Sequence, residues 1–493
     1  MKDRGHPSRS PSERPPSAST TVDVTIERLS LGGEGVAHVE GMVVFVPYTA
    51  PGDRVQVELV ERHARYARGR LLHVLSPSKA RVEPPCPYHF QLRKEERPAS
   101  GPFISHSACR IPHFCGGCSW QHLRYEEQLA AKREILRETL ERVGGLRGLD
   151  VRALLGMAEP WRYRNKVQVP VGWDGHRMIS GFFEPGSHRI VPIDDCLVQP
   201  SLSVAIVNRA RAWLAQQRAP AYDAAAHRGW IRHLLVRTAG GKTPSEPDQA
   251  LLTIVTRTPE FPRERDFVES LAREFPPLAG IHHNVNPSRT NAILGRRWRR
   301  LGGAPTIEER VGRLRFRLSP GSFFQVNTPQ AHALYETVRQ CAGSGPRLLD
   351  LYCGVGGIAL YLADRFGEVG GVEEYPAAIE DADANARLNG ISNVRFMAAP
   401  VETFLGGWQR RDSQGLTVVL DPPRAGCTPP VLKALVRLAP PRLVYVSCDP
   451  GTLARDLACF AQGGYEIETV QPVDLFPHTP HIETVVRLRQ QRV

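Results

Sequence analysis

A cysteine at the end of a predicted strand is the side chain of this sequence best suited to nucleophilic chemistry. The apolar run LVYV leads into Ser447, Cys448 and Asp449, and Pro450 follows where a helix can begin. Ligands of open α/β sheets bind at the carboxyl ends of the strands, so the Cys448 thiol is expected to face such a crevice. The alternative is a small buried hydrophobe, which is the commoner role of a free cysteine. Position alone leaves both interpretations open.

A second group of cysteines has the spacing of metal ligands. The segment CRIPHFCGGC contains Cys109, Cys115 and Cys118 in a C-x5-C-x2-C pattern. Three thiolates need a fourth ligand, and either a tetrahedral Zn²⁺ or an iron–sulfur cluster accepts such a set. Cys196 is the preferred distant candidate, and Cys86 competes with it because Cys86 is nearer in sequence.

A glycine-rich turn predicts a nucleotide-type pocket. In LLDLYCGVGG, Gly354, Gly356 and Gly357 follow a predicted strand and precede the helical segment IALYLADRF. Glycines there let the backbone approach a ligand closely. Glu373 comes nineteen positions after Gly354 at the end of the next strand, where a carboxylate can bind ribose hydroxyls. Asp350 before the turn favours S-adenosylmethionine, although the spacing alone also allows a dinucleotide.

Alternating strands and helices position these groups. From about residue 346, five strand-like runs alternate with helical segments, which predicts a doubly wound parallel sheet over 321–493. Asp421 ends the fourth of these strands and therefore borders the same crevice. Before it we expect a Pro/Ser-rich disordered tail over 1–20, an OB-like β-barrel over 21–79, and a mixed α/β central domain with the metal cluster over 80–320.

The charge of the chain favours a polyanionic partner. Its 493 residues include 63 Lys and Arg against 51 Asp and Glu, giving a formal net charge of +12. Nucleic acid is the simplest partner for such an excess. Two basic segments with a central aromatic residue, 62–70 and 295–300, are candidate RNA contacts, although exposed solvated loops would look similar.

The sequence also predicts a cytoplasmic protein. No apolar stretch reaches the ~20 residues needed to span a bilayer, and the N-terminus lacks the apolar region of a secretory signal. The ten cysteines are unevenly clustered, which suggests metal binding or catalysis in a reducing compartment more than disulfides.

Seven ordered motifs carry a resemblance to a known family. They are a TRAM-like start followed by CRIPHFCGGCSWQHL, SFFQVN, LLDLYCGVGG, LDPPRAG, VYVSCDPGTLARD and LFPHTPHIE. In these motifs the chain resembles the iron–sulfur, TRAM-containing bacterial 23S ribosomal RNA (uracil-5-)-methyltransferases, from Thr21 to Arg489. The resemblance implies a class I methyltransferase domain at the C-terminus, 23S ribosomal RNA as substrate, and a monomer without an obligate protein partner.

The resemblance also assigns roles to individual residues. It implies that Cys448 is the nucleophile and that Glu483 is the base. It implies contacts to S-adenosylmethionine from four residues: Gln325, Tyr352, Glu373 and Asp421. It implies that a [4Fe–4S] cluster is held by four cysteines: Cys109, Cys115, Cys118 and Cys196.

The chemistry explains these residue types. Uracil C5 is too weak a nucleophile to attack a methyl sulfonium directly, and addition of a Cys448 thiolate to C6 gives C5 carbanion character. A base such as Glu483 must then remove the C5 proton so that the thiol can leave. The reacting uracil has to leave its stack to reach the pocket.

Three alternatives share some of these sequence features. Cytosine-5 RNA methyltransferases carry a cysteine in the fourth-strand motif, where this chain has Arg424, so uridine is favoured. Methylation of a transfer-RNA T-loop uridine is the nearest enzymatic alternative; the barrel and the cluster together favour ribosomal RNA, because transfer-RNA enzymes of this family typically lack both. A non-catalytic, zinc-containing RNA-binding protein is opposed by the intact Cys448 and Glu483.

Overall fold

The structure of the protein, a computed structural model, describes residues 20–91, 113–240 and 249–491. Cys109, nearly all of the predicted N-terminal tail and most of the segment between Cys86 and Cys109 lie outside these residues. The chain forms two compact units. One contains the chain up to Glu83 together with the part that begins at Phe90, and the other contains Pro84–His89 and the chain from His113 onward.

The first unit is a six-stranded sheet that closes on itself. Its strands are β1 (Thr21–Thr25), β2 (Arg28–Leu29), β3 (Gly35–Val39), β4 (Met42–Val46), β5 (Arg54–Arg62) and β6 (Tyr66–Ser76). β1 pairs with β5 at one edge, and β2 continues the same bent segment and pairs with β3 at the other edge. In β5, buried Val55, Val57 and Leu59 alternate with more exposed residues, as a barrel wall requires. The predicted small barrel is therefore confirmed.

The second unit contains two seven-stranded sheets. The strands of its first sheet are β7 (Lys166–Trp173), β8 (Met178–Phe183), β9 (Ile190–Pro192), β10 (Ile231–Ala239), β11 (Gln249–Thr256), β12 (Leu278–Val285) and β13 (Arg297–Gly303). They lie in the order β13-β12-β11-β10-β7-β8-β9, antiparallel except for the β11–β12 pair. The helices of this region are α1 (Tyr125–Gly144), α2 (Ser201–Gln216) and α3 (Glu264–Glu274). α2 and α3 cover the sheet with Ile206, Trp213 and Phe267.

A hairpin and a helix connect this sheet to the second one. They are β14 (Ile307–Val311), β15 (Leu314–Leu318) and α4 (Thr328–Ala342). The Asn327 side chain caps α4 by accepting a hydrogen bond from the Gln330 N–H, and a proline stands in the first turn. The intervening loop 319–327 contains the SFFQVN motif.

The C-terminal sheet is parallel over five strands. Its strands are β16 (Gly345–Leu351), β17 (Phe366–Glu373), β18 (Val394–Ala398), β19 (Leu416–Leu420), β20 (Arg442–Ser447), β21 (Tyr465–Val473) and β22 (Glu483–Gln490). The order is β18-β17-β16-β19-β20-β22-β21, with β22 antiparallel to both neighbours. Every residue of β19 is buried, because helices cover both faces of a parallel sheet. This confirms the doubly wound sheet with two closing strands.

Helices and short 3₁₀ segments connect these strands. They are α5 (Gly357–Leu362), α6 (Pro376–Leu388), α7 (Val401–Leu405), α8 (Pro429–Leu438) and α9 (Pro450–Gln462), with 3₁₀ turns at Ala363–Arg365 and Arg410–Ser413. No helix in the described part of the chain is long and apolar enough to cross a membrane.

The chain before β7 covers the free edge of the C-terminal sheet. Val151 forms a bridge with Val470 and Leu155 forms one with Val473, both on β21. The Arg152 N–H donates to the Val470 carbonyl at 3.0 Å, and the Leu155 N–H donates to the Pro472 carbonyl at 3.1 Å. Helix α1 packs against α9 nearby. The central region therefore supports the side of the sheet that carries β20 and β22.

Candidate active site

Cys448 lies at the carboxyl end of β20, immediately before helix α9. The Asp449 side chain caps this helix by accepting a hydrogen bond from the Thr452 N–H at 2.9 Å, and Pro450 is its first residue. The Ser447 hydroxyl donates to the Asp449 carbonyl at 3.0 Å and fixes the turn. The thiol is half-buried. Cys448 therefore lies where the sequence predicts it, at the carboxyl end of a strand and just before a helix.

Glu483 lies beside Cys448 because of the register between two strands. β20 and β22 are antiparallel, and Ser447 pairs with Thr484. The next positions along this ladder are Cys448 and Glu483. Glu483 is buried, and it also pairs with Val473 at the end of β21. The pairing thus brings a thiol and a carboxyl group from distant motifs to one edge of the sheet.

Burial sets the protonation of this group of side chains. It raises the pKa of Cys448 to about 11, with further increases from Glu483 and Asp421 and a decrease from Arg424. Burial raises the pKa of Glu483 well above its ordinary value, and Asp421 raises it further while Arg424 opposes the shift. Burial also raises the pKa of Asp421 to about 7. At neutral pH the free protein therefore holds Cys448 protonated beside the Arg424 cation, and burial favours the neutral form of Glu483.

Three of the predicted cofactor residues lie at the carboxyl ends of adjacent parallel strands. Tyr352 follows β16, Glu373 is the last residue of β17, and Asp421 follows β19. The Glu373 carboxylate accepts hydrogen bonds from the Gly354 N–H at 3.2 Å and the Tyr375 N–H at 3.1 Å. Tyr352 has a left-handed backbone with φ of 67°, which marks a sharp turn out of the strand. The three residues therefore lie at the edge of the sheet where ligands of such folds bind.

The glycine turn is held tightly between strand β18 and helix α4. A Cβ atom at Gly356, where φ is 79°, would lie 2.7 Å from the Phe396 ring, and one at Gly357 would lie 2.4 Å from the Tyr335 hydroxyl. Only glycine fits at these two positions. Buried Asp350 accepts a hydrogen bond from the Ala359 N–H at 2.9 Å, and its Oδ1 has no hydrogen-bond partner among the described residues. A polar ligand group at the turn would satisfy that oxygen.

Gln325 belongs to the loop 319–327, which is fixed to the first sheet of the second unit. The Asn165 side chain donates to the Gln325 carbonyl and to the Thr328 hydroxyl, both at 3.0 Å. Asn165 directly precedes β7, so the loop between the two sheets is anchored from the central side. The described contacts of Gln325 involve its backbone, and its contact with the cofactor stays a prediction.

The cavity cysteines, which are Cys86, Cys115, Cys118 and Cys196, line one cavity of about 560 Å³. The Cys115 N–H donates to the Tyr88 carbonyl at 2.7 Å, which brings the chain near Cys86 against the CGGC turn. Burial raises the pKa of Cys115 to about 12 and that of Cys196 to about 11, and the neighbouring thiols add to both shifts. Cys109 was predicted in this set but lies outside the described residues.

The donor set bears on which metal group fits. Among residues 20–91, 113–240 and 249–491, no three His, Cys, Asp or Glu side chains are close enough to hold one metal ion. A four-iron cluster is larger than a single ion, so its thiolates surround a wider space. The shared cavity therefore brings four candidate thiolate ligands together, without a three-residue site for a single ion among the described residues.

The same cavity extends from the cysteines to Arg424, whose charge acts on Cys448. Its wall also includes Arg424, His481, Lys166 and Phe323. Burial lowers the pKa of His481 to about 4, with a further decrease from Arg424, and it lowers the pKa of Lys166 to about 7 with a contribution from Arg237. Phe323 is 71% exposed at the rim. An exposed aromatic ring and the Arg424 cation on the cavity wall suit a nucleobase with its phosphate.

The two predicted RNA contacts have different surroundings. In 62–70, the first unit holds Arg68 in an ion pair with Glu34 and Arg70 in one with Glu58. In 295–300, Arg299 pairs with Glu264, whereas Arg297 and Arg300 have no ion pair in the part of the chain that the structure describes. This second segment forms the edge strand β13 and leaves more of its cationic charge for a polyanion.

Trp298 connects the edge strand to the cavity entrance. Its side chain is 42% exposed, and its ring lies against Gly321, where an added Cβ atom would be 2.9 Å from the ring. Gly321 is in the same loop as Phe323. Exposed aromatic rings therefore lead from β13 to the cavity that contains Arg424.

Comparison with known proteins follows the same division of the chain. A family model described as TRAM domain matches residues 19–72, and one described as tRNA (Uracil-5-)-methyltransferase matches residues 306–491. An RNA methyltransferase of Halalkalibacterium halodurans is 38% identical over 97% of this chain and 98% of its own length. The chain belongs to the RNA (uracil-5-)-methyltransferase family. A Bacillus cereus RNA methyltransferase is 37% identical over 94% of this chain and 95% of its own length.

A solved structure shares the full architecture of this methyltransferase. The crystal structure of Pyrococcus abyssi tRNA (uracil-54, C5)-methyltransferase in complex with S-adenosyl-L-homocysteine is similar with a TM-score of 0.73 and 28% identity. The similarity covers 95% of this chain and 100% of that one. A transfer-RNA enzyme is therefore similar to this chain over nearly its whole length, which weakens the expectation that the barrel and the cluster together favour ribosomal RNA.

Several residues of the methyltransferase site were not found from the sequence. Arg424 served only to argue against cytosine, yet its charge acts on both Cys448 and Glu483. Lys166 lies in no quoted motif, and His481 lies in the LFPHTPHIE motif without a role assigned to it, yet both line the cavity. Their positions depend on contacts between distant segments, which residue spacing does not report.

Proposed function

We propose that this methyltransferase transfers a methyl group from S-adenosylmethionine to C5 of a uridine in RNA, through a covalent bond between Cys448 and C6. The observation that carries the proposal is the pairing of β20 with β22, which puts Cys448 beside Glu483. The strand-end residues Tyr352, Glu373 and Asp421, together with Gln325, are the proposed cofactor contacts. The S-adenosyl-L-homocysteine in the Pyrococcus abyssi enzyme supports this choice of cofactor.

Cys448 carries the first step. It loses its proton to the Asp421 carboxylate or to solvent, so that Glu483 is left free for the last step, and Arg424 favours the resulting thiolate. The Sγ–C6 bond forms while the electron pair of the C5–C6 double bond moves toward C5 and the O4 carbonyl. When bound, S-adenosylmethionine supplies the electrophilic methyl group and a positive sulfonium charge that favours ionised carboxylates nearby.

Glu483 carries the last step. Its carboxylate takes the C5 proton, the electron pair re-forms the C5–C6 double bond, and the Sγ–C6 bond breaks to release the Cys448 thiolate. Burial of Glu483 keeps water away from this proton transfer. The proton then leaves to solvent before the next turnover.

A 5-fluorouridine RNA tests this mechanism. Fluorine at C5 cannot be removed as a proton, so the methylated adduct stays attached to Cys448. We expect a covalent protein–RNA complex that needs S-adenosylmethionine to reach the methylated mass. The proposal would be contradicted if no such complex forms and the mass of uridine in the native substrate RNA stays unchanged.

For the RNA, we propose 23S ribosomal RNA, and the support is the ordered set of sequence motifs. The second candidate is the uridine of the transfer-RNA T-loop. The similarity of the Pyrococcus abyssi transfer-RNA enzyme to nearly the whole of this chain supports this candidate. Mass spectrometry of nucleosides from separated ribosomal and transfer RNA, with and without the gene, distinguishes them. Loss of 5-methyluridine from only one fraction identifies the substrate, and unchanged levels in both contradict the function.

We also propose that the cavity cysteines hold a [4Fe–4S] cluster. Cys115, Cys118 and Cys196 retain the role that the resemblance implies, and Cys86 supplies the fourth thiolate in place of Cys109. The support is that Cys86 lines the same cavity as the other three. When bound, the cluster ties the chain at Cys86, the CGGC turn and the segment before α2 into one unit.

A further inference from the structure

The loop that leads to Glu483 is anchored on both sides by the central region. This base loop, residues 474–482, joins β21 to β22 and ends directly at Glu483. Asp474 accepts hydrogen bonds from the Lys132 ammonium at 2.6 Å and the Tyr125 hydroxyl at 2.8 Å. Lys132 also donates to the Phe476 carbonyl at 3.0 Å. Because Lys132 and Asp474 are both fully buried, this ion pair fixes the start of the loop in one position.

His478, in the middle of the base loop, has a backbone conformation that is uncommon for a side-chain-bearing residue. Its φ is 65°, in the left-handed region, and its side chain is buried. The ring stacks on Trp161 with centroids 3.8 Å apart, and Nε2 donates to the Pro160 carbonyl at 3.0 Å. Burial lowers the pKa of His478 to about 3, so the ring is neutral with Nδ1 as an acceptor.

Gln128 on helix α1 holds His478 by both its backbone and its ring. The Gln128 Oε1 accepts from the His478 N–H at 2.8 Å, and Nε2 lies 3.2 Å from His478 Nδ1. Nε2 also lies 3.1 Å from the Trp120 carbonyl and 3.0 Å from the Leu123 carbonyl. Gln128 is completely buried. One amide thus links the helix, the segment after Cys118 and the base loop.

The segment after Cys118 also contacts His478 directly. The N–H groups of Ser119 and Trp120 both donate to the His478 carbonyl at 3.0 Å. Ser119 is the residue next to Cys118, which lines the cysteine cavity. The backbone of the cysteine segment therefore contacts the backbone of the base loop. This contact lies next to Cys118 in one segment and a few residues before Glu483 in the other.

We propose that Gln128 is a positioning residue that acts through His478 to place Glu483 for removal of the C5 proton. This inference rests on the proposed function, because it assumes that Glu483 acts after methyl transfer. His478 contacts the helix and the cysteine segment, and Glu483 contacts the reacting uridine. The Gln128 amide is the group that joins helix α1 to the base loop that ends at Glu483.

The proposal predicts which step slows when the amide is removed. Cys448 is held by β20 and by the cap of α9, so its addition to C6 does not depend on the base loop. Removal of the C5 proton does depend on it. A shifted Glu483 should therefore leave the methylated RNA attached to Cys448 for longer, and a small misplacement of a catalytic group lowers rates by roughly 10- to 100-fold.

The test compares Gln128→Met with wild type and with Gln340→Met, a control at an exposed glutamine of α4. Each full-length protein is mixed with S-adenosylmethionine and unmodified substrate RNA, and both the released 5-methyluridine and the denaturant-resistant protein–RNA complex are measured over one turnover. For Gln128→Met we expect release to slow about tenfold and the complex to accumulate. We expect both quantities to stay at the wild-type level in Gln340→Met. The yield of the 5-fluorouridine adduct should be the same in all three proteins.

Other outcomes overturn the inference. Slow release without accumulation of the complex, or a parallel loss of the 5-fluorouridine adduct, would mean that Gln128 only supports folding. If Gln128→Met does not fold, His478→Asn takes its place, because asparagine tolerates the left-handed backbone but lacks the ring contacts. The same accumulation is expected there, and its absence rejects the proposal. A wild-type protein that forms no adduct at all would instead reject the proposed function.

Discussion

Cys448 and the cavity cysteines are both buried enough to resist ionisation, yet the charges around them differ. Cys448 has the Arg424 cation nearby, which favours its thiolate, together with two carboxyl groups that can exchange its proton. Cys115 and Cys196 are affected mainly by burial and by other thiols, so each ionisation opposes the next. The first environment suits a thiol that ionises during a reaction. The second needs a positive centre to hold several thiolates at once.

The largest expected effects come from removing one cysteine from each of the two environments. Cys448→Ala should lower methylation by at least about 10⁴-fold, the scale of losing a catalytic nucleophile, and leave the iron content unchanged. Cys118→Ala should remove the absorption near 400 nm of an anaerobically purified sample. Methylation assays and iron analysis on both variants check this. A Cys448→Ala protein that still forms the 5-fluorouridine adduct would place the nucleophile elsewhere.

A second pair of variants tests the membership of the cavity group. We expect Cys86→Ser to lose most of the iron, because Cys86 shares the cavity with the other three thiols. Cys109→Ser is the matched control and should retain its iron and its absorption near 400 nm. The opposite result would restore Cys109 as the fourth ligand, and stoichiometric zinc without iron in the wild-type protein would contradict the cluster.

A smaller effect is expected from removing the cation beside Cys448. With a pKa of about 11, roughly 10⁻⁴ of the thiol is ionised at pH 7, so adduct formation on 5-fluorouridine RNA should rise with pH until that value is reached. Arg424→Gln removes a charge that lowers this pKa, so the profile should move to higher pH and the rate at pH 7 should fall about tenfold. Stopped-flow or quench measurements from pH 6 to 10 check the shift. An unchanged profile would show that Arg424 does not act on the thiol.

The smallest effect is expected far from both groups of cysteines. Replacing Arg297 and Arg300 by Gln on β13 should weaken RNA binding a few-fold and reduce the slope of log affinity against log salt by about 2, if each arginine contacts one phosphate. Single-turnover methylation at saturating RNA and the iron content should stay unchanged. Binding measured at several salt concentrations checks this, and Arg299→Gln is a useful comparison because Arg299 already pairs with Glu264. Equal salt slopes in all proteins would remove β13 from the RNA-binding surface.

Local patterns were sufficient for part of this architecture. The apolar run before Ser447, the proline at position 450 and the alternation of strands and helices predicted where Cys448 lies, because these features depend on neighbours in sequence. The glycine turn and Glu373 were predicted for the same reason. The pairing of Ser447 with Thr484 depends on residues far apart in the chain, so Glu483 was identified only through the family resemblance.

Long-range packing explains what the sequence did not reveal. Gln128 occupies a helix that reads as mostly polar, and nothing in its neighbours indicates that it is buried against His478. The sequence favoured Cys196 over Cys86, but the Tyr88–Cys115 hydrogen bond brings the chain near Cys86 against the CGGC turn. At Gly357, the hydroxyl of the distant Tyr335 occupies the space that a side chain would need.

The bridges from Val151 and Leu155 to β21 have a consequence for how this protein can be divided. An outer strand with unpaired backbone groups can pair with strands of other molecules and promote aggregation. In this chain the residues before β7 occupy that position on β21. A fragment that begins at residue 321 would lose them and expose the strand that leads into the base loop. The solubility of the C-terminal sheet therefore depends on a segment outside it, and the two should be expressed together.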